Sequence, residues 1–125
     1  EDVVSLNPII PYKQALQEMF DVDGLLLLQA ENCNLQIPAK VYEYIRVNKP
    51  ILGLMPIEGD TGQLLNSLDN SFLSPLDNTA AIVKIIPEFI IALGCNEQQK
   101  PTDLAQYSRQ FQASIFENIL TKAIN

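Results

Sequence analysis

The sequence predicts an α/β fold: a doubly wound parallel sheet of about four strands with helices on both faces. Three observations predict it. Two segments, "DGLLLLQ" (residues 23–29) and "PILGL" (50–54), are apolar without alternation, the pattern of strands buried on both faces. Around them lie stretches whose apolar residues recur at helical spacing. The two kinds of segment alternate along the chain, which calls for right-handed crossovers in a parallel sheet.

Taken in order, "DVVSL" (2–6) reads as a first short strand, followed by a loop punctuated by Pro8 and Pro11. A helix then starts with proline at its first position, and Ala15, Leu16, Met19 and Phe20 form its apolar face. The leucine-rich strand follows. Pro38 opens the next helix, Val41, Tyr44 and Ile45 face inward, and Asn48 ends it, asparagine being well suited to the left-handed turn that closes helices. After "PILGL", the turn "PIEGDTG" (56–62) leads to a helix around 63–68. It lacks the GxGxxG and GxxxxGK[ST] spacings, so it reads as an ordinary turn with Asp60 or Thr61 as cap. "SFLSP" (71–75) is a short strand. "DNT" (77–79), with Asp77 the simplest cap, precedes a helix over 80–93 that Gly94 stops and Pro87 kinks or splits. Residues 96–103 resemble a linker. Thr102 caps a closing helix over about 102–124, with Leu104, Phe111, Ile115, Ile119 and Leu120 along one side and Phe111 and Phe116 in the core.

Composition narrows the function. A chain of 125 residues suits one domain with a modest core, and 47% apolar content argues against disorder. Net charge is −7, with eight basic residues scattered singly, which excludes a nucleic-acid interface and disfavours an anionic membrane surface. There is no histidine, so the usual general base and the commonest metal ligand are missing. Cys33 and Cys95 lie far apart without a CxxC pair and read as small buried thiols of a cytoplasmic protein rather than a disulfide. The longest apolar run (80–95) is too short to span a bilayer and is interrupted by Lys84, Pro87 and Glu88. The chain begins with Glu1 rather than Met and shows no signal peptide, so it is expected to be a piece of something longer.

The loop "AENCNLQIP" (30–38) stands at the carboxyl end of the leucine strand, where α/β folds bind ligands. Lys40 and Glu43 follow it, three residues apart, on a helix face other than that of Val41 and Ile45. A glutamate there can accept hydrogen bonds from neighbouring sugar hydroxyls, and a lysine near the positive end of a helix attracts phosphate. The plainer reading is an exposed ion pair worth a few tenths of a kcal/mol. Tyr42 and Tyr44 read as helix packing rather than as a base-stacking platform.

The segment "IPAKVYEYIRVNKPILGL" (37–54) runs proline, small residue, lysine, apolar, aromatic, Glu-Tyr, then Lys-Pro and an apolar strand. It resembles the corresponding segment of retaining-type, GT-B-fold glycosyltransferases of the large group 1 family. "PYKQALQEMFDVDGLLLL", "DNTAAIVKII" and "YSRQFQASIFENIL" resemble, in order, that family's preceding helix and strand, the helix after its last strand, and its closing helix. The resemblance implies that residues 1–125 are part of a C-terminal nucleotide-sugar-binding domain, the Rossmann-like half of a GT-B fold. The parent enzyme would transfer a sugar from a nucleotide-sugar donor to a glycan, lipid or small-molecule acceptor. By position Glu43 would contact the ribose, Lys40 would line the donor pocket, and the Pro38–Ala39 backbone would be its close-approach edge. No catalytic residue and no metal ligand is implied here, and the donor is substrate rather than cofactor.

The family's second glutamate, eight positions earlier, is Leu35 in this chain, and its helix-ending glycine is Asn48. Its diphosphate-gripping Arg and Lys, and its acceptor-binding domain, would lie upstream of Glu1. The expected partners are therefore the donor and that upstream domain, with no nucleic acid and no transmembrane segment, and with the truncated sheet edge as a route to self-association. The setting is cytoplasmic, any membrane association coming from the missing part of the chain. The alternative is a non-catalytic doubly wound α/β module, regulatory or docking, that works through its acidic surface and trailing helix.

Overall fold

The structure, a computed structural model, describes residues 3–95 and 104–124. Its elements run α1 (Tyr12–Asp21), β1 (Leu25–Leu28), α2 (Ala39–Val47), β2 (Ile51–Leu54), α3 (Asp60–Asn66), β3 (Ser71–Ser74), α4 (Thr79–Gly94) and α5 (Arg109–Ile124), with single 3-10 turns at Glu31–Cys33 and Leu104–Tyr107. The strands form one parallel sheet in the order β1-β2-β3, with Leu25, Ile51 and Ser71 in register. Among the described residues the sheet therefore has three strands, not four. Residues 3–6 of the expected first strand are exposed and unpaired, and a segment with no neighbour to take its backbone hydrogen bonds has no reason to be a strand. No helix among the described residues is long and apolar enough to cross a membrane.

One face of the sheet carries the core. Leu25, Leu27, Ile51 and Met55 meet Val41 and Ile45 of α2 and Leu65 of α3, all buried. Among the described residues the opposite face is covered by α4, whose Phe89 sets its ring edge-on to Phe72 of β3 at 5.8 Å. That helix leaves the carboxyl end of β3 and finishes beside Gly24, where Phe89 and Leu93 fill the space a side chain would need. The upper part of β1 is left bare on this face. Leu26 and Leu28 are 53% and 58% exposed, so the four leucines alternate buried and exposed and are not covered on both sides as their unbroken apolarity implies.

The helix boundaries follow local chemistry. Pro11 and Pro38 stand just before the first helical residue, fixing the entry without a side-chain cap. Asn48 closes α2 at φ 57° and ψ 39°, its N–H on the Tyr44 carbonyl, as expected of a residue that tolerates the left-handed region. Asn78, not Asp77, caps α4, its Oδ1 accepting from the Ala81 N–H at 3.0 Å. Pro87 leaves α4 one continuous helix. Gly59, rather than Asp60 or Thr61, precedes α3, and those two residues turn out to have other partners.

The closing helix differs most. Ser108 caps it, accepting from the Phe111 N–H at 3.1 Å, so α5 begins at Arg109, and Thr102 lies outside the described residues, as does the linker-like segment. Phe111 and Phe116 are exposed rather than core, because α5 lies chiefly against the turn that precedes it and not against the sheet. Both cysteines are free, Cys33 half-buried and Cys95 exposed, so neither is the small buried residue expected.

Candidate functional site

The loop after β1 is built from one buried amide. Gln29, the residue that follows the strand, donates through Nε2 to the carbonyls of Cys33 at 2.7 Å and Gln36 at 2.9 Å. A buried side chain that satisfies two loop carbonyls holds that loop in one shape, since breaking either bond strands a polar group. The Thr61 hydroxyl donates to the same Gln36 carbonyl at 2.9 Å, and the Asp60 N–H donates to the Asn34 carbonyl at 2.9 Å. The first turn of α3 is thus stitched to the loop that feeds α2.

That loop delivers the chain to Pro38, whose extended ψ of 140° turns it into α2. With no side chain bonded to its front, α2 presents open N–H groups there. Beside this terminus is a hollow of about 520 Å³ bounded by Gln29, Cys33, Gln36, Ile37 and Pro38. Ala39 and Lys40 stand exposed on the first turn.

Glu43 lies one turn further on, half-buried. The Tyr12 hydroxyl, from the first residue of α1, donates to its Oε1 at 2.7 Å. That hydrogen bond, reinforced by desolvation and by the negative charge of Glu43, raises the Tyr12 phenol above its ordinary pKa, with Arg46 pulling the other way. A second hollow of about 480 Å³ opens against Glu43, Tyr42, Arg46, Tyr107 and Ser108. Its aromatic wall is a tilted pair, Tyr42 and Tyr107, with ring centroids 5.8 Å apart. Tyr44 points the other way. It is buried, and its hydroxyl donates at 3.2 Å to the carbonyl of Leu26. Burial, then the Glu43 charge, raises its pKa.

The four residues singled out from the sequence therefore share the front of α2 but not one cavity. Pro38 borders the first hollow and Glu43 the second. The ion pair between Lys40 and Glu43, the plainer reading of their spacing, is not formed; Glu43 is held at one oxygen by Tyr12. Tyr42 is half wall, half packing, whereas Tyr44 is packing as expected. A third hollow of about 480 Å³ lies at the carboxyl ends of all three strands, among Ala30, Glu31, Asn32, Pro56, Pro75 and Asp77.

Several residues that shape the site carry no clear mark in the sequence. Arg46 does: three positions after Glu43, it shares that helix face. Tyr12, Gln29, Tyr107 and Ser108 do not, since each acts through a contact that only the fold creates. No family model, curated protein or solved structure matches this chain.

Proposed function

We propose that this chain is the donor-binding portion of a glycosyltransferase that moves a sugar from a nucleotide-sugar donor to a glycan, lipid or small-molecule acceptor. The observation that carries the reading is the placement of Glu43. One carboxylate oxygen is held by Tyr12 while the group borders an open hollow walled by two tyrosines. A carboxylate anchored at one oxygen and presented at the other suits a pair of sugar hydroxyls, and flat aromatic walls suit a nucleobase or a sugar ring.

The front of α2 supplies the second element. From Pro38 to Glu43 is five residues, about 7.5 Å along a helix axis. That separation suits a ribose at Glu43 with its diphosphate at the open N–H groups of Ala39 and Lys40, where the helix dipole and the lysine both favour an anion. Departure of a nucleoside diphosphate needs just such charge stabilisation, from fixed donors and basic groups. In this reading the three-stranded sheet belongs to a larger doubly wound, Rossmann-like domain whose remaining basic groups and acceptor site are supplied by the rest of the protein.

The test is a titration of the full protein with UDP-, GDP- and ADP-sugars, followed by calorimetry and by amide NMR. One donor should shift resonances around Glu43 and at the front of α2. Glu43→Gln, which keeps shape but removes charge, should weaken that donor tenfold or more, since a hydrogen bond to a charged group is worth about 1.5–3 kcal/mol. Binding of every donor with unchanged affinity in Glu43→Gln, or of none by the wild type, would sink the reading. The exposed apolar faces of α4 and α5 favour the alternative, a non-catalytic interaction module, and such a module would bind no nucleotide sugar at all.

A further inference from the structure

Within α4 only Thr79, Lys84 and Glu88 are not apolar, glycine and proline aside. Helices that are apolar nearly all round are normally buried on every side, yet among the described residues α4 is covered on one side only. Its inner face meets the sheet through Phe89 and Leu93. Its outer face is open, with Val83 63%, Ile90 58% and Ile91 69% exposed. Lys84 and Glu88 stand exposed one turn apart, and among the described residues neither is held in an ion pair.

We propose that α4 is a self-recognition surface on which two copies of this chain meet about a two-fold axis. The helices run antiparallel with the axis at the height of Ile86 along the exposed face, so that Lys84 of each copy lies level with Glu88 of the other. The spacing permits it: positions 84 and 88 are equidistant from 86, so a two-fold axis at that level exchanges one for the other and forms two identical ion pairs. Val83, Ile90 and Ile91 are then enclosed on either side of the axis, and the small ends Ala80 and Gly94 leave the helices room to approach. A side chain at Gly94 would meet no atom within 4 Å.

Charge selects the occupant. The chain carries −7 overall, so two copies repel over most of their surface, whereas the α4 face holds one positive and one negative charge and is neutral against itself. A lipid surface fits poorly, since anionic headgroups need several cations where α4 offers a single lysine.

The experiment is sedimentation of the full protein over a concentration series, with charge-swapped variants whose folding is checked by circular dichroism. Wild type should be a concentration-dependent dimer. Lys84→Glu and Glu88→Lys should each weaken it at least tenfold, because each places like charges opposite one another. The double variant should dimerise as wild type, and an equimolar mixture of the two single variants should form the mixed dimer. A wild type that stays monomeric throughout, single variants that dimerise unchanged, or single variants whose mixture stays apart would each overturn the proposal. A monomer that instead binds a different protein through Ile90 and Ile91 would overturn it too. Donor binding at Glu43 is read separately and is independent of the outcome.

Discussion

The Tyr12 hydroxyl and the Glu43 carboxylate, 31 positions apart in the chain, meet at 2.7 Å across the two helices that flank β1. The bond does two things. It pins α1 to α2, and it orients a carboxylate that would otherwise rotate freely at a helix surface. Tyr12→Phe removes the hydroxyl and keeps the ring, so the fold should be retained while any ligand of Glu43 binds a few-fold more weakly. Tyr12 should also be among the tyrosines that ionise late, since its phenol is held above its ordinary pKa by that bond. Absorbance titration of wild type against Tyr12→Phe checks this: the variant should lack a late-ionising step, and loss of an early one would contradict the geometry.

Tyr44 makes the analogous bond in the interior. The Leu25 and Gln29 N–H groups point to β2, so the Leu26 carbonyl between them points to the open edge of β1, where Tyr44 satisfies it. Tyr44→Phe should cost about 0.5–1.5 kcal/mol, the net value of one such hydrogen bond. The pH dependence has a definite sign. Burial raises the folded pKa above the unfolded value of 10.0, so the folded chain holds this proton more tightly. The associated stability is complete below pH 10.0 and is lost as pH rises through the folded value. Urea denaturation at increasing alkalinity should show a steep loss in wild type and a shallower one in Tyr44→Phe.

Gln29→Ala tests the loop in front of α2. It leaves the carbonyls of Cys33 and Gln36 without the amide that joins them, at a cost of about 1–3 kcal/mol. Hydrogen exchange should quicken across residues 30–38 and at the first turn of α3, which hangs on the same Gln36 carbonyl through Thr61. Unchanged exchange there would mean that the loop is held by something else.

Gly62 sits in α3 where an added methyl group would strike the backbone carbonyl oxygens of Pro56 and Ile57. Gly62→Ala should destabilise by about 3 kcal/mol or more, because backbone cannot step aside as a side-chain end can. Gly94→Ala, on open space within one copy of the chain, is the control: at concentrations where the protein is monomeric it should be neutral or slightly stabilising, as alanine favours a helix over glycine. Thermal unfolding of the pair checks both.

The agreement between sequence and fold is closest where one helix turn decides the matter. Val41, Tyr44 and Ile45 are buried as their spacing requires, and Asn48 adopts the left-handed turn expected of it. Expectation and structure part where an element's fate depends on a distant neighbour. "LLLL" reads as doubly buried, but α4 runs from β3 down to Gly24 and leaves Leu26 and Leu28 uncovered. "DVVSL" reads as a strand but finds no partner edge among the described residues. The stripe from Phe111 to Leu120 reads as core, yet α5 stands beyond the sheet. In the candidate site, Glu43 and Pro38 were legible from their order, whereas Tyr12, Gln29 and Tyr107 became visible only when the chain was folded.

Periodicity and proline placement, both interactions among residues a few positions apart, were enough for the sequence to place helices α1 to α4, the strands β1 to β3 and their parallel arrangement. The residues before α3 and α4 and the start of α5 differ from those expected. Tertiary structure alone decided which apolar faces are covered, which hydroxyl meets Glu43, and that Lys40 forms no ion pair among the described residues. Those outcomes turn on where whole elements pack, and packing joins residues between which the linear order specifies no distance.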